Sequence, residues 1–134
     1  MSRVSVLLAD DNSAVLGQVT KSLEKDYEIV AAVKDGHEVV GECLRLKPDV
    51  VVLDISMGEV NGLDLARELR DSGCFSKIVF LTVHEDYDYV SAAIGVGAMA
   101  YVVKSHMGTD LNVSIKAALA DKFFVSSSLL YERP

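Results

Sequence analysis

The chain's 134 residues suffice for one domain of ordinary size. Half of them are hydrophobic and a quarter charged, which argues against a disordered or fibrous protein. The formal net charge is −7 and Lys and Arg are not clustered, so this stretch offers no basic groove for nucleic acid.

Cys43 and Cys74 form no CxxC pair and have no His at metal-ligand spacing, so neither a disulfide framework nor a thiolate metal site is expected. Cys43 falls on an apolar helical stripe and reads as a small core residue. Cys74 follows Gly73 in a loop and is expected to be exposed. No apolar run approaches the ~20 residues of a membrane span, and no signal-like segment opens the chain. A cytoplasmic location is expected.

Short apolar runs alternate with helix-like segments. Val4 to Ala9 reads as a first strand, ended by Asp10-Asp11-Asn12-Ser13. Asn12 or Ser13 can cap a helix whose apolar positions are Val15, Leu16, Val19 and Leu23. Tyr27 to Val33 reads as a second strand, and Asp35-Gly36 as a turn. A second helix carries Val39, Val40, Cys43 and Leu44 on one face and stops at Lys47-Pro48-Asp49. Val50 to Leu53 is continuously apolar, which suits a central parallel strand covered on both faces. Asp54 ends it. Asn61-Gly62 opens a third helix with Leu65, Ala66 and Leu69 inward. Ile78 to Leu81 is a fourth strand, ending at Thr82. A fourth helix is expected from Asp86 to about Val96, with Val90, Ala93 and Ile94 inward. Met99 to Val103 is the fifth strand, ending at Lys104. The fifth helix buries Leu111, Ile115, Ala118 and Leu119. This alternation predicts an α/β fold with a parallel sheet between helices.

In such a sheet, ligands bind at the carboxyl ends of the strands. Those ends carry Asp10 and Asp11, Asp54, Thr82 and Lys104. Singly, each has an ordinary role as turn residue, cap or surface charge. Together they set three carboxylates, a hydroxyl and an ammonium on one rim. Carboxylates held close repel strongly at reduced dielectric. A hard divalent cation or the lysine relieves that repulsion. Metal, lysine and hydroxyl around one carboxylate form a site suited to a phosphoryl group.

With these residues in place, the sequence resembles the receiver domain of two-component response regulators from about Val4 to about Leu119. The matching residues are Asp10-Asp11, Asp54 with the loop Ile55 to Gly62, Thr82, Lys104, and Tyr101 three positions before the lysine. The resemblance implies a flavodoxin-like, doubly wound, five-stranded parallel sheet of order 2-1-3-4-5 with five helices. It implies that Asp54 accepts a phosphoryl group from a sensor histidine kinase. Mg²⁺, with Mn²⁺ as a substitute, would be held by Asp10, Asp11, Asp54 and the backbone carbonyl of Ser56. Lys104 would pair with the phosphoryl group and Thr82 would move toward it. Tyr101 would turn from outside to inside, and Ser56 and His84 would tune hydrolysis of the acyl phosphate. The domain catalyses only its own phosphorylation and dephosphorylation on this reading.

Three positions depart from the usual pattern. Gly58 and Ser105 stand where proline is common, which predicts a floppier loop and makes a cis bond after Lys104 doubtful. Val83 replaces a small residue and is expected to narrow access to Asp54. The face formed by the fourth helix, fifth strand and fifth helix would change on phosphorylation, with Tyr87 and Tyr89 as exposed anchors, and would bind a partner or a second copy. Residues 1–121 read as the receiver domain. Residues 122–134 read as a tail, with Phe123, Phe124, Leu129 and Leu130 apolar, that packs back or begins a linker. That tail resembles receivers joined to a LuxR-type helix-turn-helix, so DNA would be reached only through an output domain beyond this sequence. A stand-alone receiver and a pseudo-receiver that only binds partners are the alternatives. An aspartyl phosphatase is disfavoured because Asp54-Ile55-Ser56 lacks a second Asp. A flavin or nucleotide binder is disfavoured because Asp10-Asp11 would repel phosphate.

Overall fold

A computed structural model describes residues 3–126 and residue 129. Five main strands run parallel: β1 (Ser5–Ala9), β2 (Glu28–Val33), β3 (Val50–Leu53), β6 (Lys77–Thr82) and β7 (Ala100–Val103). Helices α1 (Ser13–Leu23), α2 (Val39–Leu46), α3 (Gly62–Asp71), α4 (Tyr87–Gly95) and α5 (Met107–Leu119) connect or follow them. Two features have no counterpart in the sequence expectation. A small antiparallel hairpin, β4 (Ser56–Met57) with β5 (Val60–Asn61), follows β3. A two-residue strand β8 (Phe124–Val125) pairs in parallel with β7, so the sheet order is β2-β1-β3-β6-β7-β8. The order of the first five strands is the expected 2-1-3-4-5.

All four residues of β3 are buried. Side chains alternate across a strand, so Val51 and Leu53 join one core and Val50 and Val52 the other. The first core is covered by α2, α3 and α4 through Val39, Cys43, Leu65, Leu69, Val90 and Ala93. The second is covered by α1 and α5 through Leu16, Val19, Leu23, Leu111, Ile115 and Ala118. Each fully buried aliphatic side chain contributes about 1.5–3 kcal/mol relative to exposure. Side chains cap the starts of α1, α3 and α4. Asn12 Oδ1 accepts from the N–H groups of Ala14 and Val15, Asn61 Oδ1 from Leu63 and Asp86 Oδ1 from Asp88. Such caps contribute about 1 kcal/mol each. Lys47 turns left-handed (φ 49°) to end α2 before Pro48.

Several side chains lie elsewhere than expected. Cys74 is buried, because Arg70 Nη1 donates to the carbonyls of Cys74 and Ser76 and pins the loop against the core. Ile94 and Leu44 are 49 % and 43 % exposed, because α4 and α2 bury narrower stripes than their apolar patterns suggest. Tyr87 and Tyr89 are half-buried against the first core rather than exposed. In the tail, Phe124 pairs with β7 and Leu129 is buried, whereas Phe123 is exposed; Leu130 lies outside the described residues. No cis peptide occurs among the described residues. No described helix is long and apolar enough to cross a membrane.

Candidate functional site

Parallel register brings the strand ends to one rim. Asp54 N–H donates to Ala9 O, which ties the end of β3 to the end of β1. β6 and β7 pair Thr82 with Val103, so Thr82 and Lys104 fall at neighbouring strand ends. Asp10, Asp11 and Asp54 each offer a carboxylate oxygen, and these oxygens lie within 4.8 Å of one another. Asp10 and Asp54 are buried while Asp11 is exposed, so the cluster opens to solvent on one side.

Lys104 bridges the two buried carboxylates. Its Nζ donates to Asp54 Oδ2 at 3.0 Å and lies 2.8 Å from Asp10 Oδ2. The second approach is a charge contact whose angles do not make a hydrogen bond, so the buried Asp10 Oδ2 accepts none. Asp10 Oδ1 accepts from Asn12 N–H at 2.9 Å, and Asp54 Oδ1 from Ser56 N–H at 3.2 Å. Burial is the largest influence on Asp54 and holds its carboxyl above the usual range. Asp10 adds to the rise, while Lys104 and the Ser56 N–H oppose it. For Lys104, burial is the largest single influence and lowers the ammonium's pKa. Asp10 and Asp54 together outweigh it and hold that pKa above its ordinary value.

Three carboxylates facing one ammonium leave an excess of negative charge. All three offer oxygen, the donor that hard divalent cations prefer. Asp10 Oδ2, in contact with Lys104 but without a hydrogen bond, and the exposed Asp11 carboxylate leave lone pairs for such an ion. The cluster therefore fits a divalent metal ion.

Thr82, Ser56, His84 and Tyr101 form a second layer. Thr82 is fully buried, and its Oγ1 accepts from His84 N–H at 3.2 Å. Tyr101 is also fully buried, its hydroxyl donating to His84 O at 2.8 Å. The His84 backbone thus joins Thr82 to Tyr101. The His84 ring stacks on Tyr89 (4.2 Å between centroids, 17° between planes) and its Nε2 lies 2.8 Å from Ser56 Oγ. This ring bridges the loops after β3 and β6. Val83 beside it stands 63 % exposed.

Two glycines are geometric requirements of the site. A Cβ on Gly62 would lie 2.1 Å from Asp54 O, because Gly62 N–H donates to Ile55 O at 2.6 Å and draws the two backbones together. The Asn61-Gly62 turn signal marked this glycine only as a helix start. Gly58 takes φ +64° in the turn between β4 and β5. Proline's ring fixes φ near −65°, so the proline common at this position cannot enter this backbone.

Comparison with known proteins agrees with this geometry. Residues 6–116 match the response regulator receiver domain family. The chain is 31 % identical over 130 residues to an uncharacterized transcriptional regulatory protein of Bacillus subtilis, YvfU, covering 96 % of this chain and 65 % of that protein. It is 31 % identical over 129 residues to the transcriptional regulatory protein DesR of the same organism, covering 95 % of this chain and 64 % of DesR. The chain thus spans a little under two thirds of the length of these relatives. Among solved structures it is similar to a LuxR-family two-component response regulator from Aurantimonas sp. (TM-score 0.92, 27 % identity, 98 % of this chain and 95 % of that one). It is also similar to the isolated apo receiver domain of RcsB from Salmonella enterica (TM-score 0.85, 27 % identity, 98 % and 100 % covered). With fold, rim of charged residues and family match in agreement, the chain belongs to the receiver domains of two-component response regulators.

Proposed function

We propose that Asp54 is the phosphoacceptor of this receiver. Its carboxylate attacks the phosphorus of a phosphohistidine on a sensor histidine kinase, the P–N bond breaks and the imidazole leaves. The observation that carries this reading is Lys104 spanning Asp10 and Asp54, with Asp11 completing an oxygen cluster open to solvent. Asp10, Asp11, Asp54 and the Ser56 carbonyl would hold Mg²⁺, with Mn²⁺ as a substitute. Bound there, the ion supplies positive charge against the phosphoryl oxygens. Lys104 keeps a charge-assisted contact by turning from the carboxylate to the phosphoryl group. Thr82 Oγ1 accepts from His84 N–H but still has its own proton to donate to a phosphoryl oxygen.

The switch follows from the same bonds. A phosphoryl group adds roughly −1.5 to −2 charges and three acceptor oxygens beside Thr82 and Lys104. Movement of Thr82 pulls on His84, whose carbonyl holds Tyr101. A differential interaction of a few kcal/mol suffices to shift a two-state population. The face formed by α4, β7 and α5 then changes its affinity for a partner, including a second copy of the chain. Ser56 and His84, joined over the loop after Asp54, set the lifetime of the acyl phosphate. With residues 1–121 as the receiver and the following segment leading to a DNA-binding output domain, the natural setting is regulation of transcription in the cytoplasm. The domain turns over no external substrate.

The test is incubation with Mg²⁺ and acetyl phosphate, read by intact mass. A single phosphoryl adduct is expected, absent from Asp54→Asn and absent with chelator. An adduct of equal yield in Asp54→Asn would overturn the assignment.

A further inference from the structure

The segment after α5 returns to the strand that carries the site's lysine. β8 adds in parallel to the outer edge of β7, and Lys104 is the residue that follows β7. Phe124 N–H donates to Met99 O at 3.1 Å and Ser126 N–H to Tyr101 O at 3.0 Å, the alternation that parallel pairing requires. An unbroken ladder would take its next bond from Val103 N–H to the Ser126 carbonyl. That carbonyl is engaged elsewhere, because it accepts from Leu129 N–H at 3.0 Å as the chain turns to bury Leu129. The Ser126 hydroxyl stands in for it. Val103 N–H donates to Ser126 Oγ at 3.1 Å, and both residues are buried. A side chain without an acceptor at 126 would leave this N–H buried and unpaired.

The bond falls where the placing of β7 matters to the site. On its inner side Val103 pairs with Thr82 of β6. The next residue, Lys104, contacts Asp54 and Asp10 and opens a 3₁₀ turn, Lys104–His106, that has no side-chain cap. Ser126 therefore fixes the outer side of the residue before Lys104. Its own N–H holds the carbonyl of Tyr101, and Leu129 is buried in the core that contains Tyr101.

We propose that Ser126 is a positioning residue for phosphoryl transfer to Asp54: by holding Val103 N–H it keeps Lys104 aimed at the acceptor carboxylate. The inference rests on Asp54 being the phosphoacceptor, but the placing of Lys104 can be read without a phosphoryl group. Ser126 acts through the backbone of β7 and not by touching the reacting atoms. Undocking of β8 would loosen Lys104, so a partner that grips the segment after α5 also sets the reactivity of Asp54.

Ser126→Ala, Ser126→Thr and Tyr27→Phe are compared with the parent, each checked for native near-ultraviolet dichroism. Tyr27→Phe is the control, because it removes a hydrogen bond to Asn112 Oδ1 at the opposite rim. The NMR resonance of Lys104 Cε is read at fixed pH in chelator, and the rate of phosphorylation by acetyl phosphate and Mg²⁺ by intact mass. Ser126→Ala should shift the Lys104 resonance toward that of the exposed lysines and slow phosphorylation about tenfold, the scale of a sub-ångström misplacement. Ser126→Thr, which keeps the hydroxyl, should restore both, and Tyr27→Phe should change neither. Where the alanine variant loses native dichroism, Ser126→Cys, with a weaker acceptor, is read in its place and should show the same changes to a lesser degree. A Lys104 resonance at the parent's position, slowing no greater than that of Tyr27→Phe, or a threonine variant as slow as the alanine one overturns the proposal. A parent that takes no phosphoryl group at Asp54 defeats the acceptor reading instead, and the Lys104 resonance alone then decides for or against Ser126.

Discussion

Replacing Lys104 by Met removes the only ammonium in contact with Asp10 and Asp54 among the described residues and leaves both carboxylates buried. The side chains are 14 % exposed for Lys104 and 4 % and 5 % for the aspartates, so solvent screens little of the loss. Breaking a buried pair by removing one partner costs ~3–5 kcal/mol, and the open side at Asp11 places this case near the lower figure, about 3 kcal/mol. With typical urea slopes, that is a midpoint drop of roughly 1–3 M at neutral pH in chelator. The loss depends on pH with a definite sign. The folded-state pKa of Asp54 is already raised, chiefly by burial, and Lys104 opposes that rise. Without Lys104 it rises further. Between the unfolded value, 3.8, and the raised folded value, the native state binds more protons than the unfolded chain, so stability falls as pH increases. The variant should therefore approach the parent's stability near pH 4 and diverge above it, and Asp54→Asn in the same chain should recover part of the loss. Urea titrations at several pH values in chelator measure this. An equal loss at every pH would show that Lys104 acts by packing and refute the reasoning.

Gly62→Ala should destabilise by about 1–3 kcal/mol and depress phosphorylation by acetyl phosphate, since its Cβ has no room beside Asp54 O; full stability and rate would contradict the close approach. Gly58→Pro should also destabilise, because φ +64° is closed to proline; urea titration measures it, and an unchanged midpoint would count against the turn. His84→Ala removes the contact to Ser56 and should change the lifetime of phospho-Asp54, followed by mass after the phosphodonor is removed; a decay rate equal to the parent's would sink that role. Cys43 releases its proton near 9 unfolded but near 12 folded, so between these values the native state holds the extra proton and stability falls with rising pH. Cys43→Ala should flatten this alkaline slope in urea titrations, by up to about 1.4 kcal/mol per pH unit; an unchanged slope would contradict the shift.

The main frame was readable because it rests on burial. Val50 to Leu53 could be only a central strand, and the helical stripes through Leu16, Val19 and Leu23 or Leu65, Ala66 and Leu69 meet the sheet as their spacing implies. The elements that escaped are too short to carry a period. β4, β5 and β8 have two residues each, and they exist through backbone pairing with a neighbouring strand, local for the β4–β5 hairpin and longer-range for β8. Cys74 was misread because its burial depends on Arg70, whose guanidinium reaches two loop carbonyls, a contact no local pattern encodes. At the site, residue types at strand ends pointed to Asp10, Asp11, Asp54 and Lys104. The closeness of Gly62 to Asp54 and the His84 backbone link between Thr82 and Tyr101 are three-dimensional facts. Tyr89 looked like a free anchor because its stacking partner, His84, lies in the preceding loop and not on its own helix.

The most direct trial of the central claim is to locate the phosphoryl group itself. The parent chain, phosphorylated with acetyl phosphate and Mg²⁺, is reduced with borohydride, which converts an aspartyl phosphate to homoserine, and is then sequenced by fragment mass. Homoserine at position 54 alone is the predicted result. Homoserine elsewhere, or a phosphorylated chain with an untouched residue 54, would contradict it.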